Sequence, residues 1–199
     1  GIQDNDLFAC AKHFPGHGNT DKDSHSSLPI INVDKKTIQS NELVPFKEAI
    51  NANVSSIMIG HLVVPALDKT NVPATHSYEI TTQLLKQNLG FKGLVVTDGL
   101  EMGALSTNIS NEESIIRSIE AGADILLLPI DVANAINSIK EAIDNGRLTE
   151  DRINHSVEKI WKMKKKMGLF VNKGFPDLDE IQDIVGIKTH KSLANEIAK

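Results

Sequence analysis

The 199-residue chain has a single cysteine, Cys10, so no intrachain disulfide can close. Within the apolar run at residues 7–11 that thiol is expected to pack as a small hydrophobe, and it does not indicate a redox compartment. Aromatic residues make up only 4%, the formal net charge is -5, and there is no long basic stripe, so the electrostatic footprint of a nucleic-acid binder is missing. The densest basic stretch, residues 162–166, also carries Met163 and reads as the solvated face of a helix. No apolar run approaches the roughly 18 residues a membrane span requires. The start of the chain lacks a basic-then-apolar pattern, so neither a span nor a signal peptide is expected. Gly1 stands only a few residues ahead of an apolar run, which suggests a piece cut from something longer.

Against these absences, the composition is ordinary for a soluble globular protein, with 40% hydrophobic and 24% charged residues, and the length suits one large domain or one and a half small ones. Four short apolar runs recur, at residues 7–11, 54–59, 94–97 and 123–128. Each is followed by a loop and a helical pattern, and strands that read as continuous apolar runs alternating with helices imply parallel βαβ units. The helices are expected at residues 41–51, 81–88, 111–121, 132–144 and from Thr149, a plausible N-cap, to Met167. The last of these should bury a stripe of Ile153, Val157, Ile160, Trp161 and Met167. Beyond Phe170 the pattern weakens into a linker-like mixture over residues 171–183, and residues 190–199 would open another helix.

The most concentrated chemistry lies in residues 12–25, where His13, His17, His25, Asp21 and Asp23 follow the first apolar run. His13 and His17 have the i, i+4 spacing of a helical metal site, but Pro15 and Gly16 between them disfavour a helix by about 3 and 1 kcal/mol. The stretch therefore reads as a loop leaving a strand, with glycines for positive φ and close approach; a metal held by His13, His17 and His25 across such a loop stays open. Asp23 and His25, two apart, project to one side of an extended backbone. There the carboxylate would fix the imidazole tautomer for proton exchange with a substrate, unless both are incidental residues of a solvated loop.

A second acid, Asp98, stands directly at the carboxyl end of the third apolar run, on the functional face of a parallel α/β sheet. It either acts there or caps the next helix. By the same topology Asp98 and the Asp23/His25 loop share one face. A fixed carboxylate opposite a proton-transfer group is the equipment of retaining glycoside cleavage, with a His in place of the usual second acid.

The stretch Lys12-His13-Phe14-Pro15-Gly16-His17-Gly18 through Asp23-Ser24-His25, with Leu28-Pro29, resembles the signature of family 3 glycoside hydrolases of the β-N-acetylglucosaminidase branch. The likeness continues through Gly60-His61, Pro73-Ala74-Thr75, Val96-Thr97-Asp98, Glu101-Met102-Gly103-Ala104, Ala121-Gly122-Ala123-Asp124 and Gly168-Leu169-Phe170, and so covers most of residues 7–170. Asn19 and Gly99 depart from the pattern, where Asp and Asp or Ala are usual.

The resemblance implies that Asp98 is the nucleophile forming a covalent glycosyl-enzyme, that His25 is the general acid/base with Asp23 as its dyad partner, and that Lys12 and His13 bind sugar hydroxyls. His61 would line the pocket or pack as a structural histidine, and His17 would support the loop. The implied substrate is a terminal β-linked N-acetylglucosamine of peptidoglycan (muropeptide) fragments. Neither a metal nor an organic cofactor is implied. The alternatives are a family 3 β-glucosidase and a non-catalytic carbohydrate-binding remnant, and phosphate stays open as an acceptor beside water. The compartment is left at cytoplasmic, or secreted and cell-wall associated, in a bacterium.

The implied fold is α/β, the C-terminal half of a TIM-type (β/α)8 barrel with about four βα units, followed by a linker toward a second α/β domain. The domain boundaries follow as residues 1–170 for the half barrel and 171–199 for the linker and the start of the next domain. An open half barrel exposes strand edges, so the expected partner, besides carbohydrate, is the missing N-terminal half of the barrel within a larger enzyme.

Overall fold

The computed structural model describes residues 1–5, 7–18, 20, 28–102, 105, 109–171 and 178–198. They fall into two compact units, Gly1–Met167 and Gly168–Lys199. In the first unit, among the described residues, β1 (Cys10–Phe14), β2 (Ser56–Ile59) and β3 (Leu94–Thr97) form one parallel sheet in the order β1-β2-β3. Each new strand adds to the same edge, so the sheet advances in one direction and does not reverse. The residues that align across it are Phe14 with Ile59 and Ile59 with Thr97.

The helices follow the expected alternation. A short α1 (Lys35–Thr37) runs on as a wider π turn (Ile38–Glu42) into α2 (Val44–Asn51), and α3 (Glu79–Asn88), also of π type, leads to β3. After β3 come α4 (Asn111–Ala121), α5 (Val132–Asp144) and α6 (Glu150–Lys166). Local chemistry explains these boundaries. The side chains of Ser110, Asp131 and Thr149 each accept a backbone N–H from three residues on, and so satisfy donors that a helix start leaves unpaired.

The main core lies under the sheet, where Phe14, Ile57, Ile59 and Val95 meet Ile38, Leu43, Phe46, Ile80 and Leu85 from the helices. Phe14 and Phe46 pack edge to face with ring centroids 5.1 Å apart, an arrangement worth about 0.5–1.5 kcal/mol beyond burial alone. A second cluster joins α4, α5 and residues near α6 through Leu105, Ile115, Ile119, Ala135 and Leu148.

Three expectations need correction. The first strand starts at Cys10 and continues through His13 and Phe14, so Leu7 lies outside it and is exposed, as is Cys10. Register is set by the buried Phe14, which the apolar run at residues 7–11 does not include. Residues 123–128 run beside β3 without forming a regular strand: Val96 and Ile125 make a single parallel bridge. The amides of Asp124 and Ile125 both bond the Val95 carbonyl, while the Leu127 amide goes to the Thr97 hydroxyl, so the ladder is irregular. In α6, Val157, Trp161 and Met167 are exposed, not buried. The helix turns Arg152, Ser156 and Lys159 inward instead, and their polar contacts to Asp124 and to neighbouring carbonyls set its rotation.

The second unit contains α7 (Ile181–Ile184) and α8 (Lys188–Ile197), with Leu193 and Ile197 exposed. No helix among the described residues is long and apolar enough to cross a membrane.

Candidate active site

The carboxyl ends of the three strands bring His13, His61 and Asp98 together. His13 is on β1, and Asp98 follows β3 directly. The Asp98 amide donates to the Ile59 carbonyl at 2.9 Å, which ties the residue to the end of β2. One carboxylate oxygen, Oδ1, accepts the Gly99 N–H at 2.9 Å, while Oδ2 stands 3.5 Å from Nε2 of His13. Both side chains keep some access to solvent, at 16% exposure for Asp98 and 26% for His13. His13 leans across the end of β2 over Gly60, where an added Cβ would come within 3.1 Å of the His13 Cβ.

Lys12 is exposed beside His13, the Lys12–His13 and Phe14–Pro15 peptides are cis, and the rings of His13 and His17 meet edge to face at 6.0 Å. A cavity of about 570 Å³ opens here, lined by Lys12, His13, His17, Asn41 and Glu42 among others. The loop glycine Gly16 is required in two ways: its φ is +133°, and a Cβ would lie 2.6 Å from the Glu42 Cβ. Asp23 and His25 lie outside the described residues. Among the described residues no group of three His, Cys, Asp or Glu could hold a metal ion.

His61, at the end of β2, is fully buried. Its Nδ1 is 2.7 Å from the Thr75 hydroxyl and its Nε2 is 2.9 Å from the Gly99 carbonyl. Burial pushes its pKa down, with hydrogen bonding to Gly99 and the charge of Asp98 opposing. The residues behind these contacts, Thr75 and Gly99, are 14 and 38 positions away, and no local pattern in the sequence connects them to His61.

At the opposite end of β3, Asp124 is buried within a cluster of cations. Its carboxylate accepts the Val95 N–H at 3.0 Å, the Ser156 hydroxyl at 2.7 Å and the Lys159 ammonium at 2.5 Å, with Lys86 at 3.9 Å. Burial lowers the Lys86 pKa to about 8 against the pull of Asp124. This cluster is structural: it fastens α3 and α6 to the amino end of the sheet.

Residues 1–163 match the model of the glycosyl hydrolase family 3 N terminal domain. The chain is 33% identical over 212 residues to β-hexosaminidase A of Pseudoalteromonas piscicida, spanning 96% of this chain and 35% of that protein. It is 28% identical over 206 residues to a β-N-acetylglucosaminidase/β-glucosidase of Cellulomonas fimi, spanning 99% of this chain and 36% of the relative. Among solved structures, a family 3 β-N-acetylglucosaminidase from Paenibacillus sp. str. FPU-7 superposes with a TM-score of 0.90 at 33% identity, covering 98% of this chain and 37% of that one. The chain thus spans about a third of the length of these relatives.

Proposed function

The chain belongs to glycosyl hydrolase family 3, and from that premise we propose that it supplies the catalytic groups of a retaining β-N-acetylglucosaminidase acting on peptidoglycan (muropeptide) fragments. In this reading Asp98 Oδ2 attacks C1 of a terminal β-linked N-acetylglucosamine while His25, held by Asp23, gives its proton to the departing glycosidic oxygen. A covalent glycosyl-enzyme results. His25 then takes a proton from water as the water oxygen displaces Asp98 from C1, and the β configuration is restored. Lys12 and His13 hold sugar hydroxyls.

The observation that carries this reading is the placement of Asp98 Oδ2 at 3.5 Å from His13 Nε2 at the carboxyl ends of the strands, with both side chains still open to solvent. The one-directional strand order, with residues 123–128 continuing beyond β3, supports residues 1–170 as the C-terminal half of a (β/α)8 barrel. The remaining strands would pair with the open edge of β1, and residues 171–199 would lead into a second domain.

The test is turnover of an aryl N-acetyl-β-glucosaminide by the full-length protein, with Asp98→Asn and His25→Ala. Loss of about 10⁴-fold or more in kcat is expected for Asp98→Asn. His25→Ala should lose most activity on poor leaving groups and little on good ones. Unchanged rates in both variants would sink the reading. The name of the Cellulomonas fimi relative favours testing an aryl β-glucoside alongside, with product analysis for free sugar against sugar phosphate.

A further inference from the structure

We propose that His61 is a positioning residue for Asp98, acting through the Gly99 carbonyl and not by touching the sugar. The inference rests on the retaining-glycosidase reading above. It starts from the hydrogen-bond chemistry of a buried imidazole. Nε2 faces a carbonyl, which can only accept, so Nε2 carries the hydrogen. Burial favours the neutral ring, so Nδ1 is the acceptor, and the Thr75 hydroxyl, which also faces the Gly60 carbonyl at 3.2 Å, turns its hydrogen to the nearer Nδ1 at 2.7 Å. The tautomer is thereby fixed, and its one N–H is committed to Gly99 O at 2.9 Å.

Gly99 is where such an anchor matters. Glycine has no side chain to restrict its backbone, and here an added Cβ would meet only ordinary contacts, 3.6 Å to Met102 and 3.7 Å to Leu128. Gly99 is buried, and hydrogen bonds fix the orientation of its two peptide groups. Its carbonyl accepts from His61 at 2.9 Å and from the Met102 amide at 3.1 Å, and the next amide, Leu100 N–H, donates to Leu127 O at 2.9 Å. Its own N–H engages Asp98 Oδ1 at 2.9 Å. That last bond orients the carboxylate, because it occupies Oδ1 and leaves Oδ2 toward His13 as the oxygen available for attack. Losing the His61 bond leaves the Gly99 carbonyl held from the Met102 side alone, so that the peptide units of Gly99 can tilt, and this loosens the donor that sets the carboxylate rotamer. A misplacement of about 1 Å at a reacting atom can cost on the order of 10²-fold in rate.

Two substitutions at His61 separate its two hydrogen bonds. In His61→Gln the amide N–H reaches about as far as Nε2 and can donate to Gly99; in His61→Asn it reaches only as far as Nδ1, on the Thr75 side. In the full-length protein with an aryl N-acetyl-β-glucosaminide, His61→Leu and His61→Asn should each lower kcat about 10²-fold with KM within about twofold. His61→Gln should recover at least about tenfold of that loss. Wild-type kcat in His61→Asn, an effect confined to KM, or equal rates for Gln and Asn would overturn the proposal, and the Gln/Asn comparison decides it even where Leu prevents folding. A dead Asp98→Asn beside a fully active His61→Asn discards the positioning role alone. Full activity in Asp98→Asn discards the glycosidase reading and the positioning role together.

Discussion

His13 and Asp98 face each other across strands that are not neighbours: Nε2 of one stands 3.5 Å from Oδ2 of the other, with β2 between them. The contact depends on Gly60, which leaves the end of β2 without a side chain, and on the aligned register of Phe14, Ile59 and Thr97. Substituting His13 by Ala removes one hydrogen-bonding group from the site and leaves the core intact. If that group binds the sugar more tightly in the transition state, the loss is about 1.5–3 kcal/mol, or roughly 10- to 150-fold in kcat/KM. Steady-state kinetics with a parallel thermal melt check this. A lowered melting point with unchanged kcat/KM would mark His13 as a packing residue only.

Gly16→Ala is expected to destabilise the protein by about 1–3 kcal/mol, because φ of +133° is a glycine conformation. Relief of the contact with the Glu42 Cβ requires the loop to shift, so sugar affinity should fall as well. Urea unfolding together with KM measures both effects.

Asp124→Ala should cost about 3–5 kcal/mol, since it strands Lys159 and the Val95 amide in a buried site. Asp124→Asn, which keeps an acceptor for both donors, should cost less. Equilibrium denaturation distinguishes the two. A mild Ala variant would show that Lys86, Lys159 and Arg152 find other carbonyls.

Stability should decline as the pH falls from 6.5 toward 4. His76 donates or accepts at 3.0 Å with the Ser114 hydroxyl, and burial, with help from the nearby His61 and Arg117, lowers its pKa from 6.5 to about 4. The unfolded chain binds a proton on His76 below pH 6.5 and the folded one only near 4, so the unfolded state gains across that window. The limit is about 1.4 kcal/mol per pH unit. Denaturation at pH 7 and pH 5 tests the slope, and His76→Gln should flatten it in part, with His61 contributing the remainder. Glu113, lowered from 4.5 to about 2, adds its own loss of stability from about pH 4.5 downward, below the pH 7 and pH 5 comparison.

Much of the scaffold was legible in the linear sequence because its causes are local. The apolar run at residues 94–97 is β3, Thr149 caps α6 through its own third neighbour, and Gly122 ends α4 at φ +122°. His13 and Asp98 were likewise visible as residue types near the ends of apolar runs, while Asp23 and His25 lie outside the described residues. The tertiary structure alone decided which groups meet. The helical pattern of α6 was right, but its rotation was set by Asp124, 32 residues before the Ser156 hydroxyl that donates to it, and so Trp161 turned outward. His61 could be read from the sequence as pocket wall or as core, and its neutral, donor-committed ring follows only from Thr75 and Gly99 being brought against it. Periodicity and capping act within a few residues along the chain, whereas burial and hydrogen-bond partnership depend on which distant segments the sheet register aligns.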